Sequence, residues 1–457
     1  MSTFSGLSTA LSSLYAQRRG LDVTGQNIAN ANTEGYSRQR VDMASVGAPA
    51  GPALFSNWQG TGSGVTVSDV NRLYDDFTET SVRAEHAKGG YLTAQKGVYA
   101  QVEQIFNEPS DTGVQEQMSD LWSAFGDVAN RPGDLPARSQ LLQRASTLAD
   151  TLKGANDSVG AMWASARSDV DSMAGEVNTT AASIARINQG VVQAQQAGLP
   201  SNELADQRDQ MVLRLSELTG ATAKVREDGA VDVYIGGSAL VSGSTYRQVA
   251  AVGAHRIEDQ AADPVSLNWA DNKAPMLIQS GKAASVLESL STTLPNTITS
   301  LNQVASALVT TVNDQHVQGF DLNGAQGGPL FSGSTAADIA VAITDPALVA
   351  ASSSDSEHLD AGNADAMAGL VNSDNGPDSI YRGVVVQVGV DAQAINRRSD
   401  VQATMTTDID SVRSSQSGVS LDEEMANLLS YQRAYEAASR VLTTVDSTLD
   451  TLINKMG

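Results

Sequence analysis

The sequence contains no cysteine, few aromatic residues and no long apolar run. Without cysteine, the chain cannot form a disulfide, bind a metal through thiolates or use a thiol nucleophile. Aromatic residues make up 5% of the 457 residues, which is little for one large compact core. No stretch approaches the roughly 20 apolar residues that a transmembrane helix needs, so we expect no membrane partner. The first residues, Met1 to Leu14, also lack the pattern of a cleaved secretory signal.

Basic residues are scarce as well. Lysine and arginine number 29 against 52 acids, a net charge of −23, which argues against a nucleic-acid partner. The ends of the chain lie near charge balance, and the centre carries most of the negative charge. This distribution fits ends that pack against copies of themselves and a solvated centre, although an ordinary acidic surface explains it equally well.

Residue patterns that would indicate catalysis or a bound cofactor are missing. Gly281-Lys282 lacks the upstream glycine of a phosphate loop, and Asp321-Leu-Asn323 lacks the later glycine and glutamate of a calcium loop. We therefore expect that the protein is not an enzyme and binds no cofactor. We expect no catalytic, cofactor-binding or metal-binding residue. The four histidines are far apart and lack metal-ligand spacing: His86, His255, His316 and His358.

Both ends show apolar residues at alternating steps of three and four. From Phe4 to Ile28 six of eight such positions are apolar, and from Leu421 to Met456 only Glu424 interrupts the pattern. A sustained 3.5-residue period predicts a coiled-coil seam, with an antiparallel hairpin inside an ordinary bundle as the alternative. Two such helices bury too little surface to hold alone, so we expect them to order on assembly.

Between the ends, helical periods surround a short β region. The pattern predicts a mainly α fold with a small inserted β domain, in which terminal coiled-coil helices join an elongated helical bundle in nested, discontinuous domains. Strands are predicted at 221–225 and 231–235, and Pro295 is predicted to separate two helices. The predicted domains are 1–60 and 413–457 as the terminal coiled coil, 61–220 and 281–412 as the bundle, and 221–280 as the β insert.

Four motifs resemble a known family. Gly6-Leu-Ser-Thr-Ala-Leu11 and the run from Leu21 through Asn27-Ile-Ala-Asn30-Ala-Asn32-Thr-Glu-Gly-Tyr36-Ser-Arg-Gln39 resemble the N-terminal motif of flagellar axial proteins. Ser420-Leu-Asp-Glu-Glu424 and Asn427-Leu-Leu-Ser-Tyr431-Gln-Arg-Ala-Tyr435 resemble their C-terminal signature. Internal matches occur at Asn202-Glu-Leu-Ala-Asp-Gln-Arg208-Asp209 and from Val312-Asn313 to Gly324. Within the axial proteins the chain resembles the hook-associated protein 1 family.

The resemblance implies a structural subunit that joins the flagellar hook to the filament. Its implied partners are copies of itself, the hook protein, hook-associated protein 3, and an export chaperone on the C-terminal helix. It also implies export through the flagellar type III apparatus, which makes the protein a secreted, extracellular part of the flagellum. A hook or distal-rod subunit is the alternative, and a secreted acidic hydrolase with a site in 221–280 is a remote one.

The terminal patterns and motifs also select a set of residues for contacts between subunits. Asn30, Asn32 and Gly35 tolerate a left-handed backbone, which suits either a fixed exit from the first helix or a plain helix cap. The hydroxyl groups of Tyr431 and Tyr435 can reach the N-terminal helix or a neighbouring subunit. The predicted interface residues are Leu7, Leu11, Leu14, Leu21, Ile28, Asn30, Asn32, Gly35, Tyr36, Leu428, Tyr431, Tyr435, Leu442, Val445, Leu449 and Leu452.

Overall fold

The structure, a computed structural model, describes residues 3–47, 64–356 and 359–456, and helices dominate these ranges. The α-helices are α1 (Thr3–Ala29), α2 (Asp76–Phe106), α3 (Val114–Asn130), α4 (Leu135–Gln196), α5 (Asn202–Thr219), α6 (Gly281–Glu288), α7 (Leu294–His316), α8 (Gly362–Ala368), α9 (Pro377–Ser417) and α10 (Leu421–Met456). Short 3-10 turns occur at Ile257–Asp259, Pro346–Leu348 and Gly369–Asn372. Among the described helices, none combines the length and apolarity that a membrane crossing requires.

The strands form four small antiparallel sheets. They are β1 (Gln39–Ser45), β2 (Val65–Arg72), β3 (Thr222–Val225), β4 (Val231–Ile235), β5 (Ser238–Ser242), β6 (Thr245–Tyr246), β7 (Val249–Val252), β8 (Ser266–Trp269), β9 (Phe331–Ser332) and β10 (Ala340–Val341). The sheets pair β1 with β2, β3 through β6 in sequence order, β7 with β8, and β9 with β10. The predicted mainly α fold with a small β insert is confirmed.

The chain forms two compact units. The first contains residues 1–86, 178–247 and 404–457, and the second contains 87–177 and 248–403. The terminal helices and β1 to β6 therefore belong to the first unit, and β7 to β10 to the second. The domain boundaries expected from the sequence remain a prediction.

The β strands follow the alternation of the sequence. In β4 the buried side chains Val231, Val233 and Ile235 alternate with half-buried ones, as the period of two requires. Gly229 takes a φ of +75°, and the Asp228 carboxylate accepts a hydrogen bond from the Ala230 N–H at 3.1 Å, which closes the turn between β3 and β4. The two strands predicted here are confirmed to within one residue.

In the second unit, α3 is a strongly one-sided helix. Its buried side chains include Met118, Leu121 and Phe125, spaced three and four residues apart, and this face packs on α8. The helix α8 is short, and the chain around it forms turns and loops. The buried Met367 of α8 belongs to the same core.

The prediction that Pro295 separates two helices is wrong. The chain passes from α6 through a π-helical turn at Ser289–Thr293 directly into α7, where Pro295 occupies the first turn. Proline is tolerated in a first turn because the fixed φ of its ring suits the helical backbone there. The π turn also exposes the Leu290 carbonyl, which accepts a hydrogen bond from the buried Trp163 indole at 3.0 Å.

Candidate assembly interface

The two terminal helices pack against each other in the first unit. They run antiparallel, because Asn27 contacts Glu424 whereas Gly20, seven residues earlier, meets Tyr431, seven residues later. Apart from Val23, the buried residues of α1 are small or polar, and they lie one or two positions from the apolar series that the sequence predicts as the seam. They are Ala10, Ala16, Gly20, Val23, Thr24 and Asn27.

Gly20 explains why the seam lies on the small residues. A Cβ at this position would lie 2.8 to 2.9 Å from three ring atoms of Tyr431, which is closer than real Cβ contacts come. The absence of a side chain therefore lets the tyrosine ring lie directly on the backbone of α1. A Cβ at Gly25 would meet no atom within 4 Å, so this glycine makes no such contact.

The predicted interface residues whose side chains the structure describes are either half-buried or exposed. Most are half-buried, and Leu11, Tyr435 and Asn32 are exposed, the first two at 39% each. The side chain of Leu452 lies outside the described residues. The half-buried ones are Leu7, Leu14, Leu21, Ile28, Asn30, Gly35, Tyr36, Leu428, Tyr431, Leu442, Val445 and Leu449. Whether they contact other subunits remains a prediction.

The centre of the pairing is a buried polar group, here called the Asn27 cluster: Asn27, Tyr36, Arg38, Gln39 and Glu424. The Asn27 amide group donates to the Gln39 carbonyl at 2.9 Å and to the Glu424 carboxylate at 3.1 Å. Its side-chain oxygen accepts from the Tyr36 hydroxyl at 2.8 Å and the Gln39 N–H at 3.0 Å. One side chain thus joins α1, the turn after it and α10.

Glu424, which interrupts the apolar pattern of the sequence, is only 1% exposed. Besides Asn27, the Arg38 guanidinium donates to it, with 2.7 Å between Arg38 Nε and the Glu424 carboxylate. Arg38 also binds Glu423, at 2.5 Å, and its backbone N–H donates to the Ser417 carbonyl at the end of α9. The buried carboxylate is therefore fully paired, as a buried charge must be.

The turn between α1 and β1 differs in part from the prediction. Gly35 takes the left-handed φ of +75°, but Asn30 and Asn32 do not. The Asn30 side-chain amide instead donates to the Gln26 carbonyl at 3.0 Å, and its oxygen accepts from Thr33. The turn therefore needs no left-handed backbone at Asn30. A side chain at Gly35 would collide with Gln210 of α5, which binds the Glu34 carbonyl.

The internal motif at the start of α5 holds this turn in place. Asp206 accepts from the Ser37 N–H at 3.0 Å and from Arg72 at 3.0 Å, and Asp209 binds Arg72 at 2.6 Å. Burial raises the pKa of Asp206, while the bonds from Ser37 and Arg72 oppose the shift. Ser201 occupies the N-cap position of α5, but its side chain makes no capping bond.

Burial, followed by the charges of Glu203, Asp206 and Glu424, raises the pKa of Tyr36 to about 12. The Tyr36 hydroxyl therefore stays protonated at neutral pH and remains a donor to Asn27. No chemical pattern in the sequence selects the Asn27 cluster as a group. Its only signal is membership in the motifs that carry the family resemblance.

The β1–β2 hairpin covers another side of α1. Val23 of α1 packs with Val41 and Val70, and the half-buried Met43 and Val67 complete this small apolar cluster. The connector between the strands, predicted from Gly47 to Gly64, lies outside the described residues over 48–63.

Elsewhere in the first unit, His86 of α2 lies between two carboxylates. Its ring nitrogens are 2.9 Å from Glu217 and 3.0 Å from Asp410. The hydrogen bond to Glu217, opposed by burial and aided by Asp410, raises the pKa of His86. In the second unit, burial lowers the pKa of His316, whose ring binds the Gly328 carbonyl and the Ala350 N–H.

Across the described ranges, the histidines and carboxylates form no group of three or more that could hold a metal ion, and His358 lies outside these ranges. The Asp321 carboxylate accepts from the N–H groups of Asn323 and Ala325 at 2.7 and 2.9 Å and so closes its own turn.

The two ends of the chain match known protein families. Residues 7–36 match the family described as "Flagella basal body rod protein", and residues 413–455 match "Flagellar basal body rod FlgEFG protein C-terminal". These segments hold α1 with the following turn, and nearly all of α10, which together form the interface above. The chain is therefore an axial structural protein of the bacterial flagellum.

Just over half of the chain, residues 99–331, matches the family described as "Flagellar hook-associated protein FlgK helical domain". The chain therefore belongs to the flagellar hook-associated protein family, as the resemblance in the sequence indicated. It is a structural protein of the junction between hook and filament, and the alternative of a hook or rod subunit is not favoured.

Individual relatives agree with this assignment. Flagellar hook-associated protein 1 of Bacillus subtilis is 28% identical, with 100% of this chain and 99% of the relative covered. The protein of the same name from Escherichia coli is 26% identical, with 98% and 99% covered. The structure of the flagellar hook junction protein FlgK from Burkholderia pseudomallei shares the fold, with a TM-score of 0.65 at 16% identity, covering 74% of this chain and 100% of that one.

Proposed function

We propose that copies of this chain pack side by side through the paired helices α1 and α10 and form a non-enzymatic layer between hook and filament. The observation that supports this is a second set of apolar side chains on the helix pair, which lie outside the buried contact between the two helices. These side chains stay between 39% and 70% exposed: Leu11, Tyr15, Leu421, Met425, Leu429, Tyr435 and Val441.

Exposed apolar side chains in such number on two adjacent helices indicate an interaction surface. Leu421, Met425 and Leu429 follow one another at steps of four, so they share one face of α10. A second copy of the pair offers the same kind of surface, and head-to-tail repetition of one contact builds a helical layer rather than a closed dimer.

The neighbouring layers in this proposal are the hook protein on one side and hook-associated protein 3 on the other. Before assembly, the exposed face of α10 is the surface on which an export chaperone binds, and the chain leaves the cell unfolded through the flagellar type III apparatus. The final location is the extracellular flagellum. A truncation that removes 421–456 should then abolish chaperone binding in a pull-down, whereas a truncation that removes only the first helix should not.

Deleting the gene tests the role at the junction. We expect cells with intact hooks, no filaments, and filament subunits released into the medium, with recovery on complementation by the full chain. Loss of the hook as well would indicate a hook or rod subunit instead. Purified chain that polymerises alone into long tubes would also favour a hook subunit.

A surface variant tests the helix face itself. Leu429→Ser replaces an apolar side chain that is 48% exposed on α10, and we expect it to reduce swarming in soft agar without loss of helix content by circular dichroism. Leu277→Ser, at a side chain that is 60% exposed in the second unit, is the matched control and should swarm normally. Equal swarming of the two variants would contradict the proposal.

A further inference from the structure

We propose that Glu424 sets the register in which α1 pairs with α10, as the specificity-determining residue of the helix pair. The inference rests on the assembly role proposed above, because only one register presents the correct outer face to other subunits. It concerns the one charged residue that the structure buries in the seam of α10, over the described part of that helix.

The apolar contacts of the pair do not select a register by themselves. Beyond Glu424, the inward positions of α10 continue as Leu428, Tyr431, Ala438 and later apolar residues, and α1 presents mainly small side chains to them. A helix pair with a seven-residue repeat can slip by one heptad and keep contacts of the same kind. Some other interaction has to distinguish the two registers.

The polar contacts that reach α10 are lost on such a slip. In the observed register Asn27 meets Glu424 and Gly20 meets Tyr431, and both helices place these residues seven positions apart. A slip that brings Glu424 against Gly20 offers the carboxylate no side-chain donor at that position of α1. A slip in the other direction brings Asn27 against the Tyr431 ring, so the asparagine loses the Glu424 carboxylate and keeps only the Gln39 carbonyl as an acceptor.

Arg38 adds a fixed reference point from outside the two helices. Its backbone N–H donates to the Ser417 carbonyl and its carbonyl accepts from the Leu73 N–H, both at 2.8 Å. These bonds hold the Arg38 backbone in place, and from there the guanidinium reaches Glu424 in the observed register. Burying a carboxylate without this cation is strongly unfavourable, and a buried polar residue in a seam is a known means of specifying register.

The absence of cysteine allows a direct test on the full chain. Thr24 and Asn427 line the same cavity of about 270 Å³, so Thr24→Cys with Asn427→Cys reports the observed register. Thr24→Cys with Ala434→Cys, one heptad further along α10, reports the slipped register. The measured quantity is the ratio of the two disulfide yields in a glutathione redox buffer, which is readable even when the helices pair only part of the time.

With Glu424 present, we expect the yield ratio to favour the observed register by at least about tenfold, and Glu424→Leu to lower the ratio by about tenfold or more. Leu428→Ala is the matched control: it should lower both yields and leave their ratio unchanged. Glu424→Gln keeps an acceptor oxygen but no charge, and should lower the ratio by about threefold.

A ratio that Glu424→Leu leaves unchanged overturns the inference. If circular dichroism shows that Glu424→Leu does not fold, Glu424→Gln decides: a lower ratio supports the inference and an unchanged one overturns it. The test uses purified chain and needs no assembly, so its outcome is separate from that of the gene deletion. A lower ratio together with normal filaments in the deletion strain would refute only the proposed function.

Discussion

Replacing Gly20 by alanine should weaken the pairing of α1 with α10, whereas the same replacement at Gly25 should strengthen it. Both glycines lie within α1. A methyl group at Gly20 would meet three atoms of the Tyr431 ring at 2.8 to 2.9 Å, and one at Gly25 would meet nothing within 4 Å. The two substitutions therefore share their effect on helix propensity and differ in the contact with α10.

The magnitudes follow from these two terms. Glycine to alanine in a helix interior stabilises by about 1 kcal/mol, which applies to both variants. Overpacking at Gly20 costs about 1 to 3 kcal/mol, because the ring of Tyr431 must move. The two variants should therefore differ by about 1 to 3 kcal/mol, or roughly 5- to 150-fold in the paired population.

The disulfide between Thr24→Cys and Asn427→Cys measures this population in the same redox buffer. Gly25→Ala should raise the yield constant by about fivefold, and Gly20→Ala should leave it unchanged or lower it. Combining Gly20→Ala with Tyr431→Val, which removes the ring, should recover the gain from helix propensity. An equal rise for both single variants would refute the close contact between Gly20 and Tyr431.

Three further predictions concern the folded units. The stability that His86 contributes should be complete below its unfolded pKa of about 6.5 and should be lost as pH rises through its raised folded pKa. Between pH 6 and pH 9, the free energy of unfolding measured in urea should therefore fall more for the parent than for His86→Gln. Arg72→Met removes the cation that two buried carboxylates share and should cost about 3 to 5 kcal/mol, against less than about 1 for the exposed pair removed by Arg40→Met; equal losses in thermal unfolding would contradict this. Trp122→Phe removes a donor to a buried carboxylate and should lower the free energy of unfolding in urea by about 1.5 to 3 kcal/mol. Trp163→Phe removes a bond to a carbonyl and should lower it by only about 0.5 to 1.5 kcal/mol. The reverse order would count against these two hydrogen bonds.

The helices and the central strands follow from the sequence because their apolar periods are long and regular. The period of two at Val231, Val233 and Ile235 predicts β4, and the spacing of Met118, Leu121 and Phe125 predicts α3. Pro295 misleads because proline breaks the interior of a helix, whereas its fixed φ is accommodated in a first turn such as that of α7. The π turn before it has no signal of its own in the sequence.

The interface is predicted less well, since hydrophobicity does not reveal how closely two helices approach. The apolar series through Leu11 is prominent in the sequence, yet α1 buries Ala16 and Gly20 because Tyr431 needs the space. Glu424 counts as an interruption in a heptad analysis, and its partners Asn27 and Arg38 lie almost 400 residues away. Only the folded chain shows that this interruption is a paired, buried contact.

Amide hydrogen exchange of the dilute, purified chain tests the central claim most directly: the terminal helices pair stably only among many copies of the chain. Amides of α1 and α10 should exchange fast, while those of α3 and α7 in the second unit stay protected. The physical reason for this fast exchange is the exposed apolar face of the helix pair, which is not buried until neighbouring subunits bind it. Protection of α1 and α10 equal to that of α3 and α7 in the dilute monomer would contradict the claim.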